Sequence, residues 1–235
     1  MKSKPFIILG ILFAAGAVLF GLGLLFTPAS SAASGRQALS PFHSVRLSVK
    51  AADVTIVTGS EFAISYDLHS REPLTELEVR DGVLHFDTGY SRRWARGGGD
   101  RSVVITVPEG TIFDALELKT VSGDIQLSGH TVSTAVLEST SGDIELDGIV
   151  CGQLTAKTVS DDIELKNSTI GVSAQLNTVS GDITAEAPFK AASAKSVGGG
   201  VELNGAEQGR RMSVGQGQPS LNAESVSGEV SVYTH

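Results

Sequence analysis

From Leu116 onward the chain alternates apolar and polar positions around a recurring Ser-Gly-Asp. With its glycine as position zero, the copies fall at Gly123, Gly142, Asp161, Gly181, Gly199 and Gly228, spaced 19, 19, 20, 18 and 29 residues apart. Two places on stand Ile125, Ile144, Ile163, Ile183, Val201 and Val230; four places on stand Leu127, Leu146, Leu165, Ala185, Leu203 and Val232. Intervening positions are polar, as in Gln126, Glu145 and Glu164. Period two with one apolar set is the pattern of a strand that buries one face. Upstream, Val121, Thr140, Val159, Val179, Val197 and Val226 occupy minus two, and Leu118, Leu137, Ala156, Leu176, Ala194 and Ala223 occupy minus five. Minus five is out of phase with minus two, so the alternation flips once between them, which takes a bend or bulge.

The third copy bears on the shape of that bend. It carries Asp161 where the others have glycine, and an inward carboxylate against isoleucines would be costly. An aspartate in the left-handed region is tolerated. The expectation is a corner with positive φ at Gly123, Gly142, Asp161, Gly181 and Gly228.

A unit of about 19 residues with two short strands cannot bury its own apolar face; stacked copies can, each backbone pairing with those above and below. The pattern predicts an all-β protein: a β-solenoid of about six short repeats over residues 116–235. The preceding region, 42–115, reads as β too. Val45, Leu47 and Val49 alternate, then Val54, Ile56 and Val57, and Val83, Leu84 and Phe86 follow an Asp81-Gly82 turn.

These repeats resemble those of a bacterial family of unknown function, domain of unknown function four-zero-nine-seven, labelled "putative adhesin". The segments VRLSVKAADVTIVTG (45–59), DGVLHF (81–86) and VVITVPEG (103–110) resemble its opening strands, so the similarity spans 42–235. The resemblance implies a toast-rack β-solenoid and little about activity. Asp161, the acid-free Gly198-Gly199-Gly200 copy and an insertion near 207–219 depart from the pattern.

Residues 1–27 stand outside this pattern. Phe6 to Phe26 is an uncharged stretch preceded by Lys2 and Lys4. At about 1.5 Å per residue it matches a bilayer core. The lysines predict a cytoplasmic N-terminus, with the rest outside the cytoplasm on a single-pass anchor. Signal cleavage near Ser30-Ser31-Ala32, giving a secreted form, is the alternative. Residues 28–41 read as a flexible linker. Without Lys2 and Lys4 the charge is 16 basic against 26 acidic residues, −10, which argues against a nucleic-acid partner. The one cysteine excludes an internal disulfide framework.

Two features could carry chemistry. The column Asp124, Asp143, Asp162, Asp182 and Glu229 repeats with the rungs. Stacked carboxylates could take Ca²⁺, but a catalytic pair is needed once and a turn residue at every rung. The column therefore reads as corner chemistry, each Asp bonding its own backbone, with no metal or cofactor assigned. The stretch GYSRRWARGGGDR (89–101), with Arg92, Arg93, Trp94 and Arg96, reads as a solvated hairpin loop or as a docking element for phosphate head groups or an anionic wall polymer. The five histidines share no metal-ligand spacing, no G-x-S-x-G elbow appears, and Cys151 reads as a small buried residue.

The expectation is a non-enzymatic, adhesin-like binding or scaffold module at the bacterial cell envelope. It would contact the membrane through its N-terminal helix, a wall polymer or envelope protein through its long faces, and a second copy through its exposed last rung. An envelope-stress sensor with a membrane partner is the alternative. A polysaccharide-active β-helix enzyme is the reading from another class; it would need a one-off carboxylate cluster.

Overall fold

The computed structural model describes residues 34–68, 74–89 and 101–234. The N-terminal apolar segment and the residues Arg92, Arg93, Trp94 and Arg96 lie outside the described residues, so the anchor and the docking loop remain expectations.

Among the described residues every regular element is a strand. In chain order they are β1 (Ser34–Ala38), β2 (Ser44–Ser48), β3 (Asp53–Gly59), β4 (Ala63–Asp67), β5 (Leu74–Arg80), β6 (Val83–Thr88) and β7 (Ser102–Pro108). The repeats supply β8 (Ile112–Lys119), β9 (Ile125–Ser128), β10 (Thr131–Glu138), β11 (Ile144–Asp147), β12 (Val150–Lys157), β13 (Ile163–Lys166), β14 (Thr169–Thr178) and β15 (Ile183–Glu186). Last come β16 (Ala191–Ser196), β17 (Val201–Leu203), β18 (Ala206–Glu207), β19 (Arg211–Gly215), β20 (Ser220–Ser225) and β21 (Val230–Tyr233).

Each winding places one strand in each of two sheets and crosses between them at the Ser-Gly-Asp corner. The windings pair in parallel, so like residues stand at one height. Ile144 is registered between Ile125 and Ile163, and Leu137 between Leu118 and Ala156. The sheets have 11 and 10 strands and share one apolar core that runs from Phe42 to Val232.

The six repeats each form a rung, and among the described residues eight rungs stack in all. In spatial order they are β6–β7, β2–β3, β8–β9, β10–β11, β12–β13, β14–β15, β20–β21 and β16–β17. The 42–115 region supplies two of them, and β2 and β3 pair directly with β8 and β9 of the first repeat. Order in space departs from order in sequence at both ends: β2–β3 lies inside β6–β7, and the sixth copy lies between the fourth and the fifth.

Antiparallel strands close each end. β5 covers β6 and β4 covers β7, with β1 on β4; at the other end β19 covers β16 and β18 covers β17. The last rung of the sequence is therefore interior and cannot serve as an exposed edge. The insertion near 207–219 contributes the covering strand β19. Residues 34–38, part of the expected linker, form β1; four of its five residues are exposed, so backbone pairing rather than burial holds it.

The structure moves the phase flip. Position minus two points outward, with Val159, Val179, Val197 and Val226 44–49% exposed. The inward neighbour of minus five is minus three: Thr120, Ser139, Thr158, Thr178, Ser196 and Ser225, all buried. The alternation continues from minus five to minus three and resets across the corner.

Candidate functional site

The repeat corners are where sequence repetition and polar chemistry coincide. None of Gly123, Gly142, Asp161, Gly181 or Gly228 has positive φ. The glycines answer a packing demand instead. A Cβ on Gly142 would overlap the carbonyl oxygen of Gly123, one on Gly181 that of Asp161, and one on Gly228 that of Gly181. At these three corners the adjacent rung approaches too closely for a Cβ. Asp161, half-buried, holds the third corner without glycine. Positive φ falls six places later, at Gly129, Gly148 and Asn167, where the chain turns back to the other sheet.

The buried hydroxyl column pins the corners. Ser139 Oγ donates to Gly123 O at 3.2 Å, Thr158 Oγ1 to Gly142 O at 3.2 Å, Thr178 Oγ1 to Asp161 O at 3.1 Å, and Ser225 Oγ to Gly181 O at 2.9 Å. Thr178 and Ser225 also accept from the N–H of their own corner glycines, at 3.1 and 2.8 Å. Each hydroxyl thus satisfies a carbonyl that the bend removes from the sheet ladder.

The carboxylates form a second ladder. Asp53 Oδ1 accepts from the N–H of Asp124 at 3.0 Å, Asp124 from Asp143 at 2.9 Å, Asp143 from Asp162 at 3.0 Å, Asp162 from Asp182 at 2.7 Å, and Asp182 from Glu229 at 2.7 Å. Each acid therefore serves the next rung rather than its own backbone. Its first member, Asp53, stands outside the Ser-Gly-Asp copies, although AADVTI aligns with SGDIEL column by column. Burial raises the carboxyls of Asp124 and Asp162 above the usual range; bonds from the next rung's N–H lower them, and neighbouring carboxylates raise them again. Glu145, one column over, is raised by burial and then by Glu164. Among the described residues no group of three or more His, Cys, Asp or Glu is arranged to hold a metal ion.

Beside the corner runs a groove of about 410 Å³. One wall is the charged column Lys119, Glu138, Lys157 and Asn177; the other includes Thr140, Val159 and Val179. Lys119 pairs with Glu117 at 3.0 Å and Glu138 at 3.4 Å. His130 is buried, with Nε2 3.2 Å from Ile56 O and its ring edge-on to Phe113; burial lowers its pKa. Cys151 is buried and its thiol is pushed up to about 11, so it stays protonated and unreactive.

A capped, two-sheet parallel β-solenoid with polar ladders at its corners defines the structural class. The chain belongs to the Toastrack family: the family profile Toastrack DUF4097 matches residues 42–234. No curated protein matches it. Among solved structures it is similar to a putative cell adhesion protein from Clostridium sporogenes, 12% identical with a TM-score of 0.45, covering 86% of this chain and 99% of that one. It is also similar to a putative adhesin from Bacteroides fragilis, 13% identical with a TM-score of 0.47, covering 86% and 96%. A third is a putative lipid binding protein from Parabacteroides distasonis, 15% identical with a TM-score of 0.39, covering 85% and 95%. At these values the likenesses carry no argument about what this chain binds.

Proposed function

We propose that the chain is a non-enzymatic binding and scaffold module of the bacterial cell envelope, held by its N-terminal segment with residues 34–234 outside the cytoplasm. One observation supports the non-enzymatic part most. At the corners the repeating hydroxyls and carboxylates are engaged in joining one rung to the next, which leaves a rigid stack with long outer faces. The uncharged stretch after Lys2 and Lys4 supports the anchoring. The test is topology followed by capture. Protease added to intact protoplasts should degrade the part beyond residue 34, and the full chain should bring down wall polymer or a membrane protein from envelope fractions. Complete protection from protease would reject the topology, and turnover of a wall polysaccharide would reject the non-enzymatic reading.

A further inference from the structure

Position minus two forms an outward stripe on consecutive rungs: Val121, Thr140, Val159, Val179, Val226 and Val197 in spatial order, all exposed except the half-buried Val121. Beside it the register aligns Lys119, Glu138, Lys157, Asn177, Glu224 and Lys195, the first four of which line the groove. Isolated exposed apolar residues need no explanation, whereas a continuous line of them does. Among the described residues Lys157, Glu224 and Lys195 make no ion pair within their own chain, although Glu224 and Lys195 are cross-strand neighbours.

We propose that this stripe and the charged column beside it form an interface between two copies of the chain, antiparallel about a twofold axis at the Val179 rung. A twofold interface must be self-complementary, and this surface is. With the axis at Val179, Val159 faces Val226 of the second copy and Thr140 faces Val197. In the adjoining column Asn177 faces itself, Lys157 faces Glu224, and Glu138 faces Lys195, each charge pair occurring twice. Moving the axis half a rung sets Lys157 against Lys195 one way, or Glu138 against Glu224 the other. Like charges opposed in this way select the register. One like-sign pair remains at each rim, Lys119 against Arg211, and Lys119 already carries Glu117 and Glu138. The stripe is about 24 Å long at 4.8 Å per rung and two side-chain columns wide. That is less than the roughly 800 Å² per partner of a standard interface, so the association is weak and concentration-dependent.

The test uses the full chain in detergent with a short thiol cross-linker, the parent chain giving the background from buried Cys151. Val179→Cys should cross-link to a dimer. Val121→Cys, whose two copies would lie six rungs apart, about 29 Å, should not. Adding Lys157→Glu to Val179→Cys should cut the dimer yield several-fold, and adding Glu224→Lys as well should restore it. That rescue has to be between chains, because within one chain the Asn177 rung separates the two positions. All four positions reach the surface, and equal melting temperatures confirm intact folding. A dimer yield from Val179→Cys no higher than that from Val121→Cys, or a double swap that behaves like Lys157→Glu alone, overturns the proposal.

Discussion

From β8 to β15 each winding lies on the one before it, and the corner bonds join residues 16 to 20 apart, as in Ser139 to Gly123 and Asp182 to Asp162. At both ends the same bonds reach much further: Asp124 to Asp53 spans 71 residues and Glu229 to Asp182 spans 47. The middle propagates by repetition, while the ends are closed by return. At each end one rung is placed outermost, antiparallel strands cover it, and the remaining rung of that end sits beneath it. An open parallel edge would template pairing with other chains, and a solenoid needs terminal units that differ from its repeats. Here the covers come from inside the sequence: β4 and β5 between β3 and β6, β18 and β19 between β17 and β20.

The comparison breaks most visibly under deletion. Removing residues 135–153 joins Thr134 to Leu154, which takes the place of Ala135 in register. The product should remain a cooperative β domain with a lower melting temperature. Removing residues 191–219 joins Lys190 to Ser220, the registered partner of Ala191. That chain should fold too, but β20 and β21 would lose their cover. Light scattering should show it aggregating while the middle deletion stays dispersed. If the two deletions are equally soluble, the covering strands do not act as caps.

Single substitutions sharpen the same contrast. Gly142→Ala drives a methyl into the Gly123 carbonyl oxygen in the tightest part of the stack. Overpacking of this kind costs about 3 kcal/mol, measurable by denaturant unfolding. Gly110→Ala, in an open turn at φ 77° with nothing within 4 Å of the new methyl, should cost only about 1 kcal/mol of left-handed strain. Thr158→Val keeps the shape but strips Gly142 O of its hydroxyl donor. A buried carbonyl left unsatisfied costs roughly 2 kcal/mol, and Thr158→Ser should recover most of it.

The smallest effect is electrostatic. Burial, opposed by the bond from the Asp143 N–H and reinforced by neighbouring carboxylates, raises Asp124 above its ordinary value of 3.8. The folded state then holds its proton at a higher pH than the unfolded chain. The destabilisation is complete above the raised pKa and disappears as pH falls toward 3.8. His130 acts with the opposite sign: its pKa is lowered from 6.5, so stability falls as pH drops below that value. Asp124→Asn can still accept from the Asp143 N–H. It should melt at or slightly above the parent at pH 7, and the difference should shrink as the pH is lowered toward 3.8. A gap that widens instead would mean that the charge itself holds the ladder.

The solenoid is legible in the sequence because the inward columns repeat. Ile125, Ile144 and Ile163 mark one height and Leu118 and Leu137 another, whatever the corner does. The corner misleads because Val121 and Val159 look like core residues; a bend restarts the alternation, and the actual inward residue is a Ser or Thr bonded to a carbonyl. That column is Ser or Thr in all six copies and is readable in principle. Asp161 misleads in another way, suggesting positive φ at a position where the glycines answer a close approach. Rung order is hidden for a deeper reason. Ile183 can stack on Val201 or Val230 equally well, because repeats are interchangeable by construction; only the 29-residue spacing before Gly228 marks the detour.

The fold stands or falls on the sixth copy lying between the fourth and the fifth. Adjacent rungs stand about 4.8 Å apart, within the Cα separation of about 4.4–6.8 Å that a disulfide bridges; rungs two apart do not. Pairs of cysteines introduced into the full chain and oxidised in dilute solution read this order directly. Asn177→Cys with Glu224→Cys should close, as should Glu224→Cys with Lys195→Cys, because both pairs are registered neighbours. Asn177→Cys with Lys195→Cys should stay open. Closure of the 177–195 pair with the 177–224 pair open would mean that the copies stack in sequence order, and the described ends would be wrong.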